Sequence, residues 1–290
     1  PSTVLMNVIP AKLASVEKVI MITPGSNSQL PAILAAAKIA GVDEVYKISG
    51  AQGIAALAHG TETIKRVDKI VGPGNIFVAT AKKLCYGAVD IDSIAGPSEI
   101  LVVADDSADK TFVAADLLSQ SEHDVLAAAI LVTDSERLIN EISEEVEKQL
   151  SKLSRKEIAG KSLENYGAAI LVKDLKEAIN LANAIAPEHL ELMVENPFEH
   201  LGAVKNAGSI FLGKYSPEPL GDYMGGPNHV LPTSGTARFF SPLSVDDFIK
   251  KTSYIYYSRE ELEKIKDKIV KIADTEGLTA HGNSIKVRFK

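Results

Sequence analysis

The chain has 290 residues, a formal net charge of −7 and 46% hydrophobic residues, and its isoelectric point lies near 5.5. This length can bury a sizeable core and exceeds one typical domain, so we expect two packed units. The acidic balance argues against a nucleic acid or an anionic membrane as a partner. No apolar run approaches the roughly eighteen residues that a membrane-spanning helix needs.

Cysteine use points to the compartment. Cys85 is the single cysteine of the chain, and one thiol cannot form an internal disulfide. We therefore expect a small buried residue in a reducing compartment, which places the protein in the cytoplasm.

Short apolar runs alternate with helical segments, which is the pattern of parallel strands joined by crossover helices. In the first part we predict strands at residues 18–23, 44–48 and 69–71 and helices at 3–14, 30–40, 52–59 and 76–84. In the second part we predict strands at 100–104, 127–133, 168–172 and 209–212 and helices at 112–119, 136–150, 156–163 and 175–185. A short tail follows, with a helix at 245–251, a strand at 254–257 and a helix at 260–273.

These elements predict the α/β class. We expect two Rossmann-like, incomplete doubly wound αβα units at residues 1–98 and 99–238, followed by a small helical C-terminal tail at 239–290. A tail of this size is too small for its own core, so we expect it to pack on another surface such as a partner subunit.

Glu188 and His189 place a carboxylate beside an imidazole, directly before the apolar segment Leu190-Glu-Leu-Met193. Adjacent residues on a strand or tight turn point apart. The two side chains are therefore expected to flank a substrate, one activating water and the other moving a proton. The alternative is a turn in which the glutamate caps a backbone amide and the histidine fills a gap.

Further polar residues suit metal binding. Gln120 and His123 are three residues apart and share one helix face if the preceding helix continues. Asp222 and His229 lie in a segment rich in glycine and proline, which we expect to be irregular, and His281 lies near the C-terminus. Histidine, aspartate and an amide oxygen suit zinc or another borderline divalent ion. The spacing itself is a weak signal, and each residue alone is also explained as a polar loop residue that satisfies the backbone.

A glycine-rich turn, Gly72-Pro-Gly-Asn75, opens the helix predicted at 76–84. Backbone amides at such a helix start can accept a phosphate. The turn is not the complete dinucleotide-binding fingerprint, and a turn like this alone is more often just a connection from strand to helix.

Taken together, six motifs occur in the order and approximate spacing seen in histidinol dehydrogenases, so the whole chain resembles that family. They are Gly72-Pro-Gly-Asn75, Ala95-Gly-Pro-Ser-Glu99, Asp116 through His123, Ala186-Pro-Glu-His189, Gly221 through Gly235, and Leu278-Thr-Ala-His281. The resemblance implies an enzyme that uses zinc and NAD to oxidise L-histidinol, through L-histidinal, to L-histidine.

The resemblance also implies a role for each matching residue. Glu188 would activate the water that attacks the aldehyde, and His189 would serve as the base for the hydride-transfer steps and contact the substrate. The zinc ligands would be Gln120, His123, Asp222 and His281, which would also contact the substrate, together with Ser98, His229 and Glu276. Gln52 and Asn75 would line the NAD site.

The resemblance further implies a homodimer. Residues 1–98 would form the cofactor side, 99–238 would carry the catalytic and metal-binding residues, and 239–290 would be the dimerisation tail. His281 and Glu276 would reach the site of the second subunit.

The chain departs from the family pattern at its start. It begins at Pro1 without a methionine and enters a helix-like run at once, whereas the family has a long preceding segment with a cofactor-contacting tyrosine. We therefore expect that the beginning of the polypeptide is missing. Two alternatives follow: a shortened chain that binds zinc and substrate without turnover, and a zinc hydrolase in which Glu188 activates water on an amide or ester.

Overall fold

Parallel strands and crossover helices alternate along residues 1–249 in the computed structural model, which describes residues 1–25 and 28–290. The chain divides into two compact units, Pro1–Ile249 and Lys250–Lys290. The predicted α/β class with a helical C-terminal tail is confirmed. The predicted divisions after residues 98 and 238 remain predictions.

The first part of the larger unit builds two small parallel sheets, β1 with β2 and β3 with β4. Its elements are α1 Ser2–Leu13, β1 Ile20–Ile22, α2 Leu30–Ala40, β2 Glu44–Tyr46, α3 Gly50–His59, β3 Lys69–Ile70, α4 Ile76–Cys85 and β4 Asp90–Ile91. Apolar residues of α3 and α4, among them Ile54, Leu57 and Ala81, form one core with Ile70. Cys85 is buried in this core, as expected from the sequence.

A five-stranded sheet forms the second part, with all strands parallel and the order β7-β6-β5-β8-β9. Its elements are β5 Glu99–Ala104, α5 Lys110–Ser121, β6 Ala128–Thr133, α6 Glu136–Leu150, α7 Lys156–Tyr166, β7 Gly167–Leu171, α8 Leu175–Ile185, β8 His189–Met193, α9 Pro197–Leu201, β9 Ser209–Leu212 and α10 Glu218–Tyr223. The central strands are buried along most of their length, as expected for strands covered on both faces: residues 100–104 of β5 are apolar, and β8 alternates polar and apolar residues.

Two hydrophobic cores cover the two faces of this sheet. On one face, Val102 and Met193 pack with residues of α5 and α6 such as Leu117 and Leu138. On the other face, Leu190 and Leu192 pack against α8. The alternation along β8 therefore places His189 and Glu191 on the face that α5 covers.

Two 3-10 helices, Thr236–Arg238 and Val245–Phe248, end the larger unit. The predicted helix at 245–251 is thus a single 3-10 turn that ends at Phe248. The Asp247 carboxylate accepts the Ser244 N–H at its start.

The unit Lys250–Lys290 contains α11 Arg259–Thr275, α12 Thr279–Lys286 and a 3-10 helix Val287–Phe289. The predicted strand at 254–257 is wrong: Tyr254 and Tyr256 are 94% and 88% exposed. A strand needs a neighbouring strand for its hydrogen bonds, and the described residues of this unit include no strand. Over residues 1–25 and 28–290, no helix combines the length and the apolar character that crossing a membrane requires.

Candidate active site

The candidate site lies at the amino-terminal edge of the five-stranded sheet. Glu99 and His189 are the first residues of β5 and β8, and His189 pairs in register with Ile100. Gly208 approaches from the start of β9 so closely that an added Cβ would stand 2.5 Å from the Glu188 carbonyl oxygen. Open α/β sheets ordinarily bind ligands at the carboxyl ends of their strands, so this site occupies the opposite edge.

Ala186 turns the chain from α8 into the Glu188–His189 pair. Its backbone is left-handed, with φ 55° and ψ 61°, and its N–H donates to the carbonyl of Ala182. This conformation costs a residue with a Cβ about 1–2 kcal/mol, and such strain is concentrated at functional sites. Ala186 is fully buried, so the surrounding packing holds the turn that leads into Glu188.

Glu188 and His189 are both fixed by the backbone of Glu99. The Glu99 N–H donates to Glu188 Oε2 at 3.0 Å, and His189 Nδ1 lies 2.9 Å from the Glu99 carbonyl oxygen. Because a carbonyl oxygen only accepts, Nδ1 carries the hydrogen and Nε2 keeps a free lone pair. Glu188 therefore caps a backbone amide, as the alternative prediction stated, and His189 keeps a nitrogen that can accept a proton.

The two side chains lie closer together than the sequence predicted. His189 Nδ1 is 3.6 Å from Glu188 Oε2, so the expectation that they point apart is wrong. The reason is that Glu188 precedes β8, outside the strand alternation, and both groups bond to one residue of the neighbouring strand.

Burial sets the protonation of the pair. It raises the pKa of Glu188 to about 8, and the nearby carboxylates of Glu99, Asp222 and Glu218 act in the same direction, against the hydrogen bond from the Glu99 amide. Burial also lowers the pKa of His189 to about 4, against the effect of its bond to Glu99. Near neutral pH the imidazole is therefore uncharged, and the carboxyl is mostly protonated.

A group of buried acids beside the pair was not predicted from the sequence. Glu218 is 2% exposed, and its Oε1 lies 4.0 Å from His189 Nε2. Burial raises the pKa of Glu218 to about 8, and the charge of Asp222 adds to the shift. Ser119 Oγ lies 3.5 Å from Glu218 Oε2 and links α5 to this acid.

Two further buried acids, Glu191 and Asp116, lie close to Glu218. Glu191 accepts the Glu218 N–H on Oε1 at 2.9 Å. Burial raises the pKa of Glu191 well above its usual range and that of Asp116 to about 6. The charge of Asp116 adds to the raised pKa of Glu191, and Glu191 Oε2 has no hydrogen-bond partner among the described residues. A lone glutamate in the middle of an apolar strand was the sequence signal for this group, since carboxylates are rarely buried without a partner.

Asp222 lies on a helix, which corrects part of the sequence prediction. The segment 221–229 was expected to be irregular, but Gly221, Asp222 and Tyr223 belong to α10. Pro217 caps this helix and a second proline lies in its first turn, where the missing N–H carries no cost. His229 Nδ1 lies 3.1 Å from the Asp222 carbonyl oxygen and 3.6 Å from its carboxylate.

The donors around Asp222 suit a metal ion. One ligand atom each from His189, Glu218 and Asp222 lies within 4.8 Å of the others. Gln120 is 1% exposed, and its Oε1 finds no hydrogen-bond partner among the residues that the structure describes. An orphaned amide oxygen is costly to bury, and an amide oxygen is a donor that a borderline divalent ion accepts together with nitrogen and carboxylate donors.

The other two predicted metal residues lie differently. His123 follows α5 and lies near enough to His189 for a positive charge on it to lower the pKa of His189. His281 lies on α12, in the separate unit Lys250–Lys290. The predicted set is therefore brought together only in part within the larger unit, and its ligand roles remain predictions.

The remaining predicted positions are found at the ends of elements. Ser98 precedes β5 and accepts the Ala128 N–H on its carbonyl. Gln52 lies in the first turn of α3, and Asn75 caps α4 by accepting from the backbone amides of residues 77 and 78. Glu276 is the C-cap of α11 in the smaller unit.

A neutral histidine, a buried glutamate and donors suited to a metal ion meet at one edge of a parallel α/β sheet, which is the composition of an enzyme active site. The family model described as Histidinol dehydrogenase matches residues 1–289. The chain belongs to the histidinol dehydrogenase family of NAD-dependent oxidoreductases.

Individual relatives agree with this assignment. The histidinol dehydrogenase of Clostridium acetobutylicum is 65% identical over 292 residues, covering 100% of this chain and 68% of the relative. That of Listeria monocytogenes serotype 4b is 60% identical, with the same shares covered. The crystal structure of histidinol dehydrogenase from Elizabethkingia anophelis superposes with a TM-score of 0.94 at 43% identity, covering 99% of this chain and 67% of that one.

The chain thus spans about two thirds of the length of the relatives it matches. A more distant likeness, to an acetylating aldehyde dehydrogenase from Geobacillus thermoglucosidasius at 15% identity and a TM-score of 0.53, reflects the fold alone. The zinc hydrolase alternative is not supported, since the matching family and the curated relatives are dehydrogenases.

Proposed function

We propose that the protein oxidises L-histidinol to L-histidine in two NAD-linked steps at the Glu188–His189 site, with zinc bound beside it. The observation that carries the proposal is the fixed tautomer of His189. Its Nδ1 is bonded to the Glu99 carbonyl and its Nε2 faces the acidic group. This leaves one basic nitrogen in a buried site of a family named for histidinol oxidation.

His189 is the base in both oxidation steps. Its pKa is lowered to about 4 by burial, so the ring is neutral and its Nε2 can accept a proton throughout the physiological range. In the first step it takes the hydroxyl proton of the alcohol while the carbinol hydrogen leaves as hydride. After it has released this proton to solvent, it takes a hydroxyl proton of the hydrated aldehyde in the second step while the second hydride leaves to NAD. The Glu99 carbonyl stabilises the protonated ring through Nδ1–H.

Glu188 acts between the two oxidations. As a carboxylate it takes a proton from the water that attacks the aldehyde carbon. Its pKa of about 8 makes the carboxylate a strong base once formed. The aldehyde stage should therefore accelerate as the pH rises toward 8.

Gln120, His123, Asp222 and His281 are the residues that we assign to zinc. A bound ion would supply a template and Lewis acid for the substrate's nitrogen and oxygen atoms. The orphaned Gln120 Oε1 and the Asp222 carboxylate support the assignment. Ser98, His229 and Glu276 would complete the substrate site.

Gln52 and Asn75 are the residues that we assign to NAD, which accepts the hydride in each step. Both stand at the start of a helix that follows a parallel strand, α3 after β2 and α4 after β3. Helix starts after parallel strands favour the phosphates of a dinucleotide. The exposed side chain of Asn75 caps α4 through Oδ1, so its NH₂ group remains available to a ligand.

A homodimer completes the proposal. His281 and Glu276 lie in the unit Lys250–Lys290, and we assign them to the site of the second subunit. The fully exposed segment around Tyr254 and Tyr256 offers apolar surface that a partner subunit would cover.

The separate role of Glu188 is tested by following the two half-reactions in E188Q. We expect oxidation of histidinal to fall by about 10²-fold or more and oxidation of histidinol to fall much less. Equal losses in both half-reactions would reject the assignment.

The metal assignment is tested by measuring zinc per chain in D222N. We expect zinc content to drop. The matched control is D134N, which replaces an exposed aspartate and should leave zinc content unchanged. Equal zinc in both variants would remove Asp222 from the metal site.

A further inference from the structure

Glu191 occupies an unusual place for a carboxyl group. It is the middle residue of β8, it pairs in register with Val102 and Phe211, and it is 1% exposed. All five residues of the strand are buried. An acid in the centre of a sheet is unfavourable unless its contacts compensate, and none of the roles assigned above uses it.

The contacts of Glu191 run to two helices. Its Oε1 accepts the Glu218 N–H, which belongs to the first turn of α10. Its other oxygen, Oε2, has no hydrogen-bond partner among the described residues, and Asp116 of α5 lies close enough to raise the pKa of Glu191. The first-turn amides of a helix have no partner inside the helix, so Glu191 satisfies a donor that α10 cannot satisfy itself.

These contacts join the three elements that carry the site. β8 carries His189 two residues before Glu191, on the same face of the strand. α5 ends with Gln120 and is followed by His123, and α10 carries Asp222. Pro217 precedes α10, and its cap position makes no side-chain hydrogen bond to the helix. The anchor of the helix start is therefore the carboxyl group of Glu191.

We infer that Glu191 is a positioning residue, which holds the start of α10 against β8 and α5 and so fixes Asp222 relative to His189 and Gln120. This inference rests on the proposed function for its effect on histidinol and zinc, although the anchoring of α10 does not depend on it. Misplacing a binding group by about 1 Å can cost 10²-fold in rate.

The test compares E191L, E191Q and a matched control in the full chain. Leucine fills a similar volume without an acceptor, so the Glu218 N–H loses its partner. Glutamine keeps an oxygen for that N–H and an NH₂ group for Asp116. The control is S162A. Ser162 lies on α7, is fully buried, and donates from Oγ to the Ala127 carbonyl, so S162A removes a buried hydrogen bond that does not involve α10.

Hydrogen exchange at residues 217–224, zinc binding by equilibrium dialysis, and KM values are measured on all variants. For E191L we expect faster exchange in that segment, at least tenfold weaker zinc binding and about 10²-fold lower kcat/KM for histidinol, with KM for NAD within about twofold. E191Q should stay within about threefold of the wild type in each measurement. S162A should lower stability without changing exchange at 217–224 or zinc affinity.

Several results would overturn the inference. These are unchanged exchange at 217–224 in E191L, an E191Q variant as impaired as E191L, or an S162A variant that reproduces the E191L pattern. Failure of the proposed function would look different. The wild-type chain would form no NADH from histidinol, while E191L would still loosen residues 217–224.

Discussion

Replacing Glu188 with glutamine should make the stability of the protein less sensitive to pH. In the native site burial raises the pKa of this carboxyl from 4.5 to about 8, whereas in the unfolded chain it titrates near its ordinary value. Between these two pKa values the native state holds a proton that the unfolded state has released. The stabilising effect is complete below the unfolded pKa and is lost as the pH rises toward 8.

The magnitude follows from the shift. Each pH unit between the two pKa values removes about 1.4 kcal/mol of folding free energy from the wild type. Between about pH 5.5 and about pH 7.5, this one group should therefore cost the wild type about 2.5 kcal/mol that E188Q does not lose. The amide can still accept the Glu99 N–H that bonds Glu188 Oε2, so the native geometry has a like-shaped replacement.

Urea denaturation of metal-free protein at the two pH values gives the comparison. Glu191 and Glu218 titrate in both proteins, so the comparison removes their own titration, and the charge of Glu218 that raises the pKa of Glu188 is part of the shift being measured. An E188Q stability difference that stays the same at both pH values would contradict the raised pKa, because it would mean that Glu188 is ionised in the native protein.

Three other substitutions test separate parts of the structure. H189N should slow both oxidation steps by about 10²–10⁴-fold in NADH assays, and a loss confined to one step would contradict its role in both. Lys82 and Asp92 form a buried ion pair, so K82M leaves the Asp92 carboxylate unpaired. We expect the free energy of unfolding, measured by urea denaturation, to fall by about 3–5 kcal/mol. A loss below about 1 kcal/mol would contradict the buried ion pair. G221A places a Cβ 2.6 Å from a ring carbon of Phe211 and should cost about 1–3 kcal/mol of folding free energy. The matched control is G202A, because a Cβ at Gly202 meets nothing within 4 Å. Equal losses in the two variants would contradict the close contact.

Much of the fold could be predicted from the sequence because its central strands have a simple pattern. The run 100–104 and the segment after His189 are apolar and bounded by turn residues, and both are strands at the centre of the sheet. The predicted strand at 254–257, Tyr-Ile-Tyr-Tyr, is also a short run of strand-forming residues, but the described residues of its unit include no partner strand. Strand pairing is a long-range property, which a local pattern does not contain.

The polar residues of the candidate site could be predicted from the sequence, but the contacts that hold them in place could not. Glu188 and His189 stand out as a polar pair at the start of an apolar segment. The role of Glu99 depends on its backbone, which meets both side chains across the sheet. Glu191 and Glu218 are 27 positions apart in the sequence and come together only in the folded chain, where the Glu218 N–H of α10 donates to Glu191 of β8.

The two-step activity is tested by counting the NADH molecules formed for each L-histidinol that the zinc-loaded chain consumes. We expect two NADH per histidinol, with histidine as the product and with NADH formation abolished by a chelator. One NADH with histidinal as the product would contradict the two-step assignment. No NADH from a folded, zinc-loaded protein would contradict the proposed activity itself.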